Sequence, residues 1–97
     1  MERLRPDHDR LRFATLPAQV GQLTLAAGTV LPETRHAEDE ISFIHSGLMR
    51  TVSGGVEGLV RGGDVTFIPA GEAHSAEVLE EVTLSYVLLE RASLEGT

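Results

Sequence analysis

The chain has 97 residues, 15 acidic and 8 basic, for a formal charge of −7, and it contains no cysteine. Disulfides, thiolate ligands and thiol nucleophiles are therefore excluded, which fits a cytoplasmic location, and an acidic chain with no basic helix makes nucleic acid and membrane surfaces poor partners. No run of about 18 apolar residues exists to span a membrane, and no apolar stretch follows Met1–Pro6 as a signal peptide would require.

Residues 1–9 are polar and read as an arm. Arg10–Leu16 alternates charged and apolar side chains and predicts a first strand, stopped by Pro17. Gln19–Ala27 carries Val20, Leu23 and Leu25 among polar residues and predicts a second, ended by Gly28. Thr29–Glu33 is β-branched at two positions but broken by Pro32, as in an edge strand or an irregular extended segment. Glu40–His45 predicts a strand, Ser46-Gly47 a turn, and Leu48–Val52 the return arm of a hairpin, with a further turn at Ser53-Gly54-Gly55. Val56–Val60 and Val65–Ile68 are short strands separated by a turn at Arg61–Asp64, and Pro69-Ala70-Gly71 closes the second. Ser75–Leu79 and Val82–Glu90 are the last strands, and residues 91–97 form a polar tail. Glu77–Glu81 could pass for helix but is too short to matter. Eight to ten short strands at roughly eight-residue spacing predict an all-β sandwich or barrel. It is expected to form one domain, residues 1–97, with its core at about residues 10–90.

Two stretches carry chemistry. The first runs from Gly28 to Gly47 and holds His36 and Glu40; the second runs from Gly63 to His74. His36 and Glu40 are an even number of residues apart, so an extended chain puts both on one face. If a turn at Ala37–Asp39 separates them, they sit on adjacent strand ends and still converge. His74 follows the Pro69-Ala70-Gly71 turn, which re-aims the chain inward. Two imidazoles and a carboxylate facing one point suffice to hold a divalent metal with open positions. Such a set suits manganese, iron, nickel or zinc better than calcium or magnesium. Taken singly, each residue is an ordinary strand or surface side chain; the flanking glycines and the second stretch set them apart. His8 and His45 have no partner at useful spacing, and alternation puts His45 on the face opposite Glu40, Ser42 and Ile44.

The combination resembles the cupin superfamily. Its first motif runs Gly, five residues, His, one residue, His, three or four residues, Glu, six residues, Gly; Gly28, His36, Glu40 and Gly47 fall in register. Its second runs Gly, five residues, Pro, one residue, Gly, two residues, His, three residues, Asn; Gly63, Pro69, Gly71 and His74 fall in register. The 15 residues between Gly47 and Gly63 match the short spacing of small microbial cupins. The resemblance implies an antiparallel jelly-roll β-barrel, the double-stranded β-helix, with His36, Glu40 and His74 as metal ligands. Thr34 stands where the family has its first His, and Val78 where it has Asn. A hydroxyl is a poor ligand beside an imidazole, so three protein ligands remain where the family has four.

Several residues stay open at this level. Glu38, Asp39 and Glu72 read as solvated loop acids, with Glu72 or Glu38 as a lesser candidate for a general base. Arg50 would anchor a substrate carboxylate if it points inward, and Tyr86 is a packed aromatic or lines the pocket or a dimer face. The resemblance implies either a metal-dependent enzyme on a small organic molecule (a dioxygenase, isomerase, decarboxylase or lyase) or a non-catalytic binding or sensor module with a weak or empty metal site. No catalytic residue is assigned. A transcription regulator's sensory half is set aside unless the chain is a fragment, because 97 residues leave no room for a helix-turn-helix domain. Open sheet edges predict a homodimer, covered at Arg10–Leu16 and at the outward Ile41 and Phe43.

Overall fold

Two long strands carry the architecture. In the computed structural model, which describes residue 3, residues 11–12 and residues 17–90, the strands are β1 (Leu11–Arg12), β2 (Ala18–Leu25), β3 (Val30–Thr34), β4 (Glu38–Ser53), β5 (Val56–Arg61), β6 (Val65–Ile68) and β7 (His74–Glu90). Among the described residues there is no helix. The arm at residues 1–9, most of the Arg10–Leu16 strand, His8 and the tail at residues 91–97 lie outside the described residues.

All strand pairs are antiparallel, and β4 and β7 lie side by side along nearly their whole length. Each then takes a different outer neighbour at each end. The first half of β4 pairs with β6 and its second half with β5. The second half of β7 pairs with β2, which carries β1, and its first half with β3. The result is a jelly-roll β-barrel, in which the order β1-β2-β7-β4-β6 passes through the shared strands into β3-β7-β4-β5.

The expected hairpin over residues 40–52 is one strand of 16 residues, and the two expected last strands are one of 17. A Ser-Gly pair between apolar runs serves a bulge as well as a turn, and here the β4–β7 register slips between Ile44 and Met49 without breaking. Gly47 sits at φ 98°, and any Cβ there would overlap the Glu81 carbonyl. Gly47 thus makes a bend and not a hairpin turn. The turn holding Gly63 also joins strands that do not pair with each other, since β5 and β6 both pair with β4.

The core forms at this bend from Ile44 and Met49 of β4 and Val78, Val82 and Leu84 of β7. Val78 and Val82 are 1% and 0% exposed. Each buried valine contributes about 1.5–3 kcal/mol of apolar transfer free energy.

Candidate metal centre

The inner face of β4 reads Glu40, Ser42, Ile44, with Phe43 and His45 on the other side, as strand alternation dictates. The inner face of β7 begins His74, Ala76, Val78. Glu40 is in register with Ile68 and Leu88, whereas His74 is in register with Thr34 and Ser53. The carboxylate and the imidazole therefore come from opposite ends of β4's ladder, and the bend brings them together. His36 enters from the short link between β3 and β4 and is not on a strand, which is the separated arrangement allowed above.

The link and the start of β4 are tied to the second motif by two backbone N–H donors. Gly71 N–H donates to the His36 carbonyl at 2.8 Å, and Ala70 N–H donates to Asp39 Oδ1 at 2.7 Å. Gly71 has φ 81°, the left-handed conformation this turn needs. Asp39 is thus a structural clasp, half-buried, and not the solvated loop acid expected. Glu72 departs from that expectation too, because its Oε2 accepts the Ser53 hydroxyl at 2.7 Å.

The ligand atoms of His36, Glu40 and His74 lie within 4.8 Å of one another, and all three residues are partly buried. The two rings are 4.9 Å apart between centroids, edge to face. Each ring is oriented by its own backbone: His36 Nδ1 is 2.8 Å from the Glu38 carbonyl, and His74 Nδ1 is 3.0 Å from the Glu72 carbonyl. With Nδ1–H donating to a carbonyl, the neutral ring carries its lone pair on Nε2. His36 Nε2 is buried without a hydrogen-bond partner and lies 3.3 Å from Glu40 Oε1. In the neutral ring that lone pair faces a carboxylate oxygen, which is repulsive, and a cation between them would convert the repulsion into two bonds; in the protonated ring the same contact is an ion pair. Ligands at about 2.1 Å on one ion and at right angles are about 3 Å apart, so the spacing of this pair fits a shared metal.

The remaining candidates fall elsewhere. Thr34 is exposed, directly across the ladder from His74, with its hydroxyl 3.5 Å from the Arg35 carbonyl. Arg50 is exposed and paired with Glu77 at 3.3 Å, on the face of β4 opposite Met49. Tyr86 lies over Gly21, where a Cβ would collide with the phenol ring, and packs against the core. His45 is exposed and bonds Ser85 Oγ at 2.7 Å. Glu38 Oε1 is 3.9 Å from His36 Nδ1, on the ring edge turned away from Nε2. Ser42, not singled out from the sequence, is the buried polar residue of the site; its i+2 spacing from Glu40 was the available signal.

The sequence model of the Cupin domain family matches residues 21–90. The chain belongs to the cupin family. An uncharacterized protein of Streptomyces coelicolor is 37% identical over 62 residues, covering 64% of this chain and 59% of that protein. This cupin therefore spans less than two thirds of that relative's length. The cupin domain of Cnp3 from Schizosaccharomyces pombe superposes with a TM-score of 0.78 at 17% identity, covering 86% of this chain and 63% of that one. A cupin protein from Bacteroides fragilis gives 0.77 at 21% identity, covering 100% and 89%. At these identities the two structures share the fold with this cupin. No helix of the described residues is long and apolar enough to cross a membrane.

Proposed function

We propose that this cupin binds one divalent transition metal through His36 Nε2, His74 Nε2 and Glu40 Oε1, and acts there on a small organic molecule. The observation that carries the reading is the buried, unpartnered Nε2 of His36 facing Glu40. A metal so held supplies Lewis acidity and open positions for a substrate oxygen. The chain's part is to orient the two rings through the Glu38 and Glu72 carbonyls and to clasp the two motifs through Asp39 and Gly71. Manganese, iron, nickel and zinc suit the donor set. Elemental analysis of protein purified without chelator and reloaded with each ion should give about one equivalent per chain. Only trace binding of all four ions would contradict the reading.

Binding or sensing without chemistry is favoured by Thr34, and by the positions of the two acids considered as general bases. Glu38 sits on the Nδ1 edge of His36, and Glu72 is held by Ser53. Turnover lost in Glu72→Gln with metal retained would decide for the enzyme.

The assembly we propose is a homodimer through the outer face of β2, β7, β4 and β6. Two cross-strand rows there, Val20-Val87-Ile41-Phe67 and Gln22-Ser85-Phe43-Val65, hold no charge on a chain of net charge −7. Phe43, Val65 and Phe67 are 42%, 62% and 59% exposed. Two copies meet on this face without like-charge repulsion. Light scattering should give twice the chain mass, reduced to the monomer by Phe67→Lys; a monomeric parent at micromolar concentration would contradict it.

A further inference from the structure

Among the described residues Ser42 is the buried polar side chain, at 4% exposure. It lies two residues after Glu40 on β4, so both side chains share the inner face. Its hydroxyl donates to Glu40 Oε2 at 3.1 Å. The other oxygen, Oε1, is the one 3.3 Å from His36 Nε2. The two carboxylate oxygens therefore have separate partners, one a neutral donor inside the barrel and one at the mouth of the ligand cluster. Ser42 is enclosed by its cross-strand neighbours Thr66 and Tyr86, and Tyr86 rests on Gly21. A buried hydroxyl without a hydrogen-bond partner is costly.

We propose that Ser42 is a positioning residue that holds Glu40 monodentate. Occupying Oε2 stops the carboxylate from closing on a metal with both oxygens, and so keeps one more coordination position free for an incoming ligand. The consequence is compounded by Thr34, which leaves another position unfilled by protein. This inference rests on the metal site proposed above. It adds that the number of open positions is set by a residue that touches no metal. Ordering of a ligand by its hydrogen-bond partner is worth about 10–100-fold in metal affinity in comparable sites.

The test uses the full chain stripped of metal and titrated with Co²⁺ against a chromophoric chelator, for the parent, Ser42→Ala, Ser42→Thr and His74→Ala. Ser42→Ala should change the Co²⁺ affinity by about 10–100-fold. Its Co²⁺ visible band should also change in position and intensity, because the second carboxylate oxygen enters the coordination sphere. A purely structural role for Ser42 would lower the melting temperature of the metal-free protein without moving that band. Ser42→Thr keeps the hydroxyl and should retain the parent's band and affinity. If Ser42→Ala keeps both while His74→Ala no longer binds, the positioning role is wrong and the metal site stands. An equal change of affinity with Thr and with Ala at position 42 would also overturn the positioning role. If His74→Ala binds as the parent does, the site itself is wrong.

Discussion

The bend and the ligand cluster are built from the same two strands, yet they differ in almost every physical respect. At the bend the inner faces of β4 and β7 carry Ile44, Met49, Val78, Val82 and Leu84, packed without polar atoms. Within four residues along each strand the same faces become Glu40 and Ser42 on β4 and His74 on β7. The first region is held by burial. The second is held by directional ties: Gly71 N–H to the His36 carbonyl, Ala70 N–H to Asp39, and Ser42 to Glu40. Val78, at the position where the family carries Asn, belongs to the apolar region. Stability and the candidate site are therefore expected to be separable along a single strand of this protein.

The largest expected effect comes from attacking the bend. Val82→Ala removes two buried methyl groups with little room to collapse and should cost about 2–3 kcal/mol, or roughly 10–15 °C in melting temperature. Metal affinity of the folded variant should stay within about threefold of the parent, since sites this distinct add independently. Denaturant titration with and without Mn²⁺ reads both; a large loss of affinity would break the separation. Thr34→His should act the other way. A fourth imidazole across the ladder from His74 should tighten Mn²⁺ or Zn²⁺ by about tenfold, near 1.4 kcal/mol. It should leave metal-free stability almost unchanged, because Thr34 is exposed. No tightening would show that position 34 does not point its side chain at the cluster. The smallest effect belongs to His45→Ala, which loses one exposed contact with Ser85. Stability should change by less than about 0.5 kcal/mol and metal stoichiometry not at all.

Much of the convergence of His36, Glu40 and His74 was legible because its logic is local. The four-residue separation of His36 and Glu40, which a turn between them still lets converge, and the Pro69-Ala70-Gly71 turn before His74, act within a few residues of each side chain. Short strands such as β5 and β6 were legible for the same reason. The bend was not. Ser46-Gly47 reads as a hairpin turn until one knows that β7 runs past it and that Glu81 fills the space a hairpin would leave. The Asp39 and Glu72 contacts were equally hidden, since both join segments 19 or more residues apart. The side of β4 taken by Arg50 depended on the register slip at the bend, which no periodicity announces.

The proposed function depends above all on His36, Glu40 and His74 acting together on one ion. Calorimetric titration of metal-free parent and His74→Ala with Mn²⁺ and Zn²⁺ puts that to the test. The parent should bind one equivalent, more weakly as the pH falls because a protonated imidazole has no lone pair to give. His74→Ala, lacking one of three strong ligands, should show no stoichiometric binding while melting as the metal-free parent does. Binding by His74→Ala as tight as the parent's would show that the three residues do not share an ion.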